Sequence, residues 1–233
     1  MSAEPYRPGE RRPIASREKK GSQVVAGWLA ARGVSPKAIS VAGMIAGIGA
    51  GAAFALTSTK PEFQRVLWLL GAVLVQVRLL ANMFDGMVAV ATQRASPIGE
   101  LYNEVPDRIS DAGVLVGLGY AVGGNAVLGY AATCAAFLTA YVRAVGKVAG
   151  GKQEFCGPMA KQQRMFLCTM LGIYNCAAPA DWQPTWQGAH SSWGLAAMML
   201  GIIIIGSLFT AVRRLSRTAK TLKNPTHEQH HSG

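Results

Sequence analysis

Charged residues are scarce in this sequence, and acidic residues are the scarcest. Only 15% of the 233 residues are Asp, Glu, Lys or Arg, against roughly 25% in ordinary soluble domains. Half of the residues are hydrophobic, which excludes intrinsic disorder because disorder requires low hydrophobicity. The 23 basic residues outnumber the 12 acidic ones, but they lie at the termini and in short polar gaps between apolar runs. This distribution argues against a nucleic-acid partner and is typical of a membrane protein with basic cytoplasmic ends.

Cysteine is also rare. The four cysteines form no CxxC pair, which argues against a structural zinc site and against a disulfide framework. We interpret them as small apolar packing residues. The first 20 residues are polar and basic, and no apolar segment follows them directly, so no secretory signal peptide is predicted.

Six segments are apolar and long enough to cross a membrane, where a helical span needs about 20 mostly apolar residues. They are predicted at 38–57, 66–90, 101–122, 126–148, 163–178 and 193–212. Ahead of them, Val24, Val25 and Trp28 recur at helical spacing, which predicts an amphipathic helix in the membrane interface. The fold class predicted is therefore all-α. We expect an integral membrane bundle of six transmembrane helices with an N-terminal amphipathic interfacial helix.

The placement of Lys and Arg predicts the orientation of this bundle. With the N-terminus in the cytoplasm, most basic residues fall on the inside, and the outer segment 179–192 carries no Lys or Arg. We therefore predict a protein of the cytoplasmic membrane with both termini cytoplasmic. The predicted units are a basic tail and amphipathic helix at 1–37, a six-helix transmembrane catalytic domain at 38–213, and a basic, polar cytoplasmic tail at 214–233.

Polar and acidic side chains interrupt the second and third spans. Asn82 and Asp85 are three residues apart and share one helix face, while Asn103, Asp107 and Asp111 are spaced by four on the next helix. A charge at the bilayer centre costs about 2.5–3.5 kcal/mol, so these carboxylates are expected to face protein, water or a cation. The linking segment is short, so the two faces should meet near the cytoplasmic surface. Such oxygen ligands favour magnesium, manganese or calcium over zinc.

This stretch resembles the signature of the CDP-alcohol phosphotransferases, Asp-x2-Asp-Gly-x2-Ala-Arg-x8-Gly-x3-Asp-x3-Asp. The corresponding positions are Asn82, Asp85, Gly86, Ala89, Val90, Gly99, Asn103 and Asp107. Asp107, Arg108 and Asp111 also match an Asp-Arg-x-x-Asp continuation found in many members. The resemblance implies a membrane enzyme, commonly a homodimer, that transfers a substituted phosphate from a CDP-linked donor to an alcohol and releases CMP.

The departures from the signature concern its charges. Asn82 and Asn103 replace two of the four motif aspartates, and Val90 replaces the motif arginine. In the family the aspartates hold divalent metal, usually two ions, and the last aspartate is proposed as the base that activates the acceptor hydroxyl. The resemblance thus implies Asp107 as the catalytic base and Mg2+ or Mn2+ as cofactor. The implied metal site comprises Asn82, Asp85, Asn103, Asp107 and Asp111. Because asparagine supplies an amide oxygen but no charge, one ion, or a weakly bound second one, is expected.

Two further groups of residues are candidates for substrate binding. Small residues of the motif permit close approach of a nucleotide, or else serve helix packing; they are Gly86, Ala89 and Gly99. Basic residues between the fourth and fifth spans are candidates for an acceptor or lipid phosphate, or else follow the positive-inside rule and contact anionic lipids. They are Arg143, Lys161 and Arg164.

Three alternatives remain open at this point. The short chain favours CDP-diacylglycerol as donor and a small polar alcohol as acceptor, whereas Ser-Pro-x-Gly-Glu-Leu at 96–101 resembles the choline/ethanolamine branch, in which diacylglycerol is the acceptor. A degenerate member would bind nucleotide or lipid without turnover, but retention of Asp85, Asp107 and Asp111 favours an enzyme because such charges are costly in a membrane. A transporter is disfavoured, since the sequence has no inverted repeat.

Overall fold

The computed structural model describes residues 19–92, 97–151, 154–187 and 192–223. Within these ranges the chain forms seven α-helices, which are α1 (Lys20–Ala31), α2 (Pro36–Leu56), α3 (Gln64–Ala91), α4 (Pro97–Gly119), α5 (Ala126–Val148), α6 (Lys161–Ala177) and α7 (Leu195–Lys223). A two-stranded antiparallel sheet, β1 (Thr185–Gln187) and β2 (Ser192–Gly194), lies between α6 and α7.

Local sequence signals set the starts of two long helices. Ser35 is the N-cap of α2, and its hydroxyl accepts a hydrogen bond of 3.1 Å from the backbone N–H of Ala38, while Pro36 occupies the first helical position. Asn125 caps α5 in the same way, because its side-chain oxygen accepts a 3.1 Å bond from the backbone N–H of Leu128.

Four helical stretches are long and apolar enough to cross a membrane. They are Pro36–Leu56, Pro61–Ala91, Ala126–Val148 and Leu195–Lys223. The chain is therefore an integral membrane protein. Helices α4 and α6 occupy the predicted third and fifth spans, but α4 is rich in charge and α6 has only 17 residues. The prediction of helices at six positions is confirmed, whereas six membrane crossings remain a prediction.

Helix α2 packs against both α3 and α4, and glycines allow its close approach to α4. A Cβ atom on Gly117 would lie 2.1 Å from the carbonyl oxygen of Gly51, and one on Gly51 would lie 2.0 Å from the carbonyl oxygen of Gly113. Backbone therefore contacts backbone at these positions, as small residues permit between membrane helices. This packing holds the polar faces of α3 and α4 beside the same part of α2.

Helix α1 is present where the amphipathic helix was predicted. Ala26 is buried in a small apolar cluster with Val88 of α3, whereas Val24, Val25 and Trp28 are exposed. Leu29 packs against this cluster, so α1 presents one apolar face to the bundle and exposes its other large apolar side chains. Location of this helix in the membrane interface remains a prediction.

Two features differ from the sequence prediction. The all-α expectation did not include the hairpin of β1 and β2, in which Trp186 lies opposite Trp193; strands of three residues are too short to give an alternating pattern. Helix α7 also continues past the predicted end of the sixth span at residue 212 and past the predicted domain boundary at 213. Arginine and lysine are good helix formers, so the helix extends beyond the end of its apolar segment.

Candidate functional site

Polar and charged side chains from four helices form one cluster between α2, α3, α4 and α6. We call it the motif cluster, and its members are Ser40, Arg78, Asn82, Asp85, Asn103, Asp107, Asp111, Lys161 and Arg164. The helical spacing of the motif residues directs them to common faces, and the packing of α2 brings the faces together.

Asn82 connects the two predicted faces. Its side-chain nitrogen donates to the Oδ1 atom of Asn103 at 3.0 Å and to both carboxylate oxygens of Asp107 at 2.9 and 3.0 Å. The faces of α3 and α4 predicted from the sequence spacing therefore contact each other through these three side chains.

Asp85 presents a carboxylate oxygen that lacks a protein partner. Its Oδ2 atom accepts a 2.7 Å hydrogen bond from the hydroxyl of Ser40, while Oδ1 is buried without a hydrogen-bond partner among the described residues. The residue is only 3% exposed. Since an unpaired buried oxygen is costly, a ligand that donates a positive charge or a proton would be stabilising there.

Asp107 is surrounded by donors. Lys161 forms an ion pair with its Oδ2 atom, and a guanidinium nitrogen of Arg78 lies 3.6 Å from its Oδ1 atom. The Asn82 amide completes the set. Asp107 and Lys161 retain 15% and 14% side-chain exposure, and the Lys161 Nζ atom itself is buried, so the pair lies at the edge of the cluster with its charges turned inward.

Asp111 is fully buried and is engaged on both carboxylate oxygens. Arg78 pairs with its Oδ1 atom, and Arg164 lies 3.2 Å from its Oδ2 atom. Arg78 also donates to Ser110 at 2.8 Å, and Arg164 donates to the carbonyl oxygen of Met159 at 2.9 Å. Asp111 thus links α4 to α3 and α6, and its predicted part in metal binding remains a prediction.

Sequence reasoning missed Arg78 and Ser40. A signal for Arg78 existed, because a lone arginine four residues before Asn82 shares its face in an otherwise apolar helix. No local signal identified Ser40, which is 45 residues from Asp85.

A small cavity lies among the oxygen-bearing side chains of the motif cluster. Its polar lining consists of Ser40, Arg78, Asn82, Asp85, Asn103 and Asp107, and its volume of about 10 Å3 is about the space of one water molecule. Within the described ranges, no group of three or more His, Cys, Asp or Glu side chains could hold a metal. Two carboxylates and two amides carry oxygen atoms of the kind that Mg2+ and Mn2+ accept, and the Arg78 guanidinium lies beside them.

The predicted nucleotide-binding positions lie along and beyond this cluster. Gly86 and Val90 line a groove of about 370 Å3 between α1 and α3, in which the small residue Gly27 forms part of the opposite wall. Ala89 is half-buried in α3. Gly99 lies in α4, but its surroundings are outside the side chains that the structure describes.

The three predicted phosphate-binding cations do not form one group. Lys161 pairs with Asp107 and Arg164 with Asp111, inside the motif cluster. Arg143 pairs instead with Glu104, and it lines a separate groove of about 390 Å3 between α4 and α5.

Comparison with known proteins identifies the class of fold. This helical membrane fold is that of a phosphatidylinositol phosphate synthase. The synthase PgsA1 of Mycobacterium tuberculosis, in complex with manganese and citrate, matches with a TM-score of 0.65 at 19% identity over 85% of this chain and 88% of that chain. The same enzyme with CDP-DAG bound matches with a TM-score of 0.65 at 20% identity over 86% of this chain and 94% of that chain.

A curated relative adds a likeness in sequence. Inner membrane protein YnbA of Escherichia coli is 24% identical over 187 residues, which are 80% of this chain and 85% of that protein. No family model matches the chain. At these identities the comparisons establish the shared fold.

Proposed function

We propose that this chain is a CDP-alcohol phosphatidyltransferase of phospholipid synthesis. It transfers a phosphatidyl group from CDP-diacylglycerol to a small polar alcohol and releases CMP. The observation that carries the proposal is the position of Asp85 and Asp107 at the motif spacing, in one largely buried cluster, within a fold whose M. tuberculosis example has a structure with CDP-DAG bound.

One Mg2+ or Mn2+ ion is the proposed cofactor. The unpaired Oδ1 atom of Asp85 supports a cation at this position, with Asp107 and the amides of Asn82 and Asn103 as further ligands. When bound, such an ion neutralises charge on the pyrophosphate of the donor. Manganese in the structure of the M. tuberculosis synthase also supports a divalent ion.

Asp107 is the proposed catalytic base. Its carboxylate takes the proton of the acceptor hydroxyl while the hydroxyl oxygen attacks the phosphorus that carries diacylglycerol. The bond from that phosphorus to the CMP oxygen breaks, and CMP leaves. Asn82 and Lys161 hold the carboxylate in place by a hydrogen bond and an ion pair. A positioned base of this kind contributes roughly 10²–10⁴-fold to rate.

The two grooves beside the cluster are the proposed substrate surfaces. The groove between α1 and α3, with Gly86 and Val90 in its wall, suits the nucleotide end of the donor because small side chains let it approach α3. The groove between α4 and α5 carries Arg108, Arg143 and Lys147 beside apolar residues, which suits the phosphate of an acceptor or of a membrane lipid.

The proposed membrane arrangement has six spans with both termini in the cytoplasm and α1 in the interface. The exposed apolar side chains of α1 and the basic residues at both ends of the chain support it. The relative YnbA, an inner membrane protein, supports location in the cytoplasmic membrane. We further propose a homodimer, as the family resemblance implies.

Release of CMP by purified protein in detergent tests the proposed activity. CDP-diacylglycerol is supplied with Mg2+ or Mn2+ and with pooled alcohols: glycerol phosphate, serine, inositol and inositol phosphate. Metal-dependent CMP release is expected, and omission of single alcohols then identifies the acceptor. A parallel arm supplies CDP-choline or CDP-ethanolamine with diacylglycerol, and release in that arm alone would assign the choline/ethanolamine type.

A non-catalytic binding protein is the second candidate. The observation that favours it is the engagement of Asp107 by Lys161 and Asn82, which already contact its carboxylate oxygens. Binding of CDP-diacylglycerol without CMP release in either arm would establish this candidate and exclude the enzyme.

A further inference from the structure

Cations of the protein face the carboxylates of the motif cluster. The carboxylates are Asp85, Asp107 and Asp111, and the cations are Arg78, Lys161 and Arg164, with Arg108 in addition 3.9 Å from Asp111. The negative charges are therefore offset by protein cations before any ion is bound. Aspartates at positions 82 and 103, where the motif has them, would add the two negative charges that one divalent ion neutralises.

The position of Lys161 is fixed by a neighbouring ion pair. Lys161 is the first residue of α6, and Arg164 lies one turn later in the same helix. Arg164 pairs with Asp111 of α4, at 3.2 Å from its Oδ2 atom. The carbonyl oxygen of Met159 accepts a further 2.9 Å bond from Arg164 and fixes the start of the helix. Two parallel pairs, Lys161 with Asp107 and Arg164 with Asp111, thus join α6 to α4.

The ammonium of Lys161 occupies the side of Asp107 that an ion would need. It contacts the Oδ2 atom, and the Asn82 side-chain nitrogen donates to both oxygens of the same carboxylate. By contrast, Asp85 keeps one oxygen unpaired within the described part of the chain. Asp85 is therefore open to a cation, while Asp107 already has one from the protein.

We propose that the Lys161 ammonium stands in for a second metal ion at Asp107. The chain then binds a single divalent ion, on the Asp85 side of the cluster. Asn82 and Asn103 fit this arrangement, because they lack the two negative charges that a second divalent ion would neutralise. The presence of a metal ion rests on the proposed function; the replacement of a second ion by Lys161 concerns metal binding alone.

A Mn2+ titration of the detergent-purified chain tests this proposal. Electron paramagnetic resonance measures the Mn2+ that remains free. The wild-type protein is expected to bind one ion per chain. Lys161→Met is expected to bind a second ion per chain, because Asp107 then lacks the cation that Lys161 supplies. Lys161→Arg keeps the charge and is expected to bind like the wild type. Lys220→Met removes an exposed lysine on α7 and serves as the matched control.

Substitutions of Asn82 and Asn103 provide a second test of the proposal. Asn82→Asp with Asn103→Asp is expected to tighten Mn2+ binding while Lys161 is still in place, and adding Lys161→Met to these changes is expected to raise the number of ions. Two ions bound per wild-type chain, a result that needs no variant to fold, would overturn the proposal. So would Lys161→Met protein with wild-type Mn2+ binding. Because CMP release is not measured, loss of the proposed enzyme activity would leave this result unaffected.

Discussion

Among single residues, Asp111 joins three helices through two buried ion pairs. It is fully buried on α4 and pairs with Arg78 on α3 and Arg164 on α6, each 1% exposed. Substitution of Asp111 by leucine leaves two buried guanidinium groups without their anion. Because removal of one partner from a buried pair typically costs about 3–5 kcal/mol, the free energy of unfolding should fall by about that amount.

Denaturant unfolding in detergent measures this loss. The matched control is Asp181→Leu, which changes an exposed aspartate in the connection before the hairpin. Equal stability of the two variants would contradict the role of Asp111 as the anion that holds α3 and α6 to α4.

Individual site residues could be predicted from the sequence only where spacing along one helix defines a face. The spacing predicts Asn82 with Asp85, and Asn103 with Asp107, on facing stripes, and Asn82 does contact both Asn103 and Asp107. The partner of Asp111 could not be predicted, because the pairing with Arg78 depends on the register between α3 and α4, and a one-helix pattern does not contain that register.

Between elements, the contact of α2 with α4 depends on glycine. A side chain on Gly117 would overlap the backbone of Gly51, since even its Cβ atom would lie 2.1 Å from the carbonyl oxygen. Gly117→Val should therefore separate the two helices. The free energy of unfolding should fall by about 1–3 kcal/mol, the usual effect of overpacking.

Gly201→Val is the matched control for this change, because a Cβ atom at Gly201 on α7 meets no atom within 4 Å. Both variants place valine in a helix, so the difference in melting temperature between them reports the packing alone. A melting temperature for Gly117→Val no lower than that of the control would mean that α2 and α4 do not touch as described.

Helices could be predicted almost completely, because apolar runs of about 20 residues are strong signals. The fourth predicted span, 126–148, coincides with α5. The signal fails where a helix continues into a mainly polar and basic segment, as in the last 11 residues of α7, and where strands are very short, as in the hairpin of Trp186 and Trp193.

For the whole molecule, the proposed topology places the two ends of α7 on opposite sides of the membrane. Single cysteines at Asp181→Cys and Lys223→Cys, in a chain whose four native cysteines are replaced, report this through a maleimide that does not cross membranes. Labelling of Asp181→Cys in intact cells is expected, and Lys223→Cys should react only after the membrane is opened. Labelling of both positions from the same side would contradict the six-span arrangement.

The helical membrane fold could be anticipated from a motif of about 30 residues together with the apolar segments, and the TM-score of 0.65 to phosphatidylinositol phosphate synthase agrees with that helical fold. Charge balance across the molecule could not be anticipated. Lys161 lies in a segment between the fourth and fifth spans, and the packing of α6 against α3, the neighbour of α4, brings its ammonium to Asp107.

The most direct test of the central claim is the turnover of Asp107→Asn. CMP release from CDP-diacylglycerol and the accepted alcohol is measured beside the wild type and beside Asp181→Asn, an exposed matched control. With the same melting temperature and the same elution in size-exclusion chromatography, Asp107→Asn is predicted to lose roughly 10²–10⁴-fold in rate, while the control keeps the wild-type rate. Wild-type release of CMP by folded Asp107→Asn protein would contradict the assignment of Asp107 as the base that activates the acceptor hydroxyl.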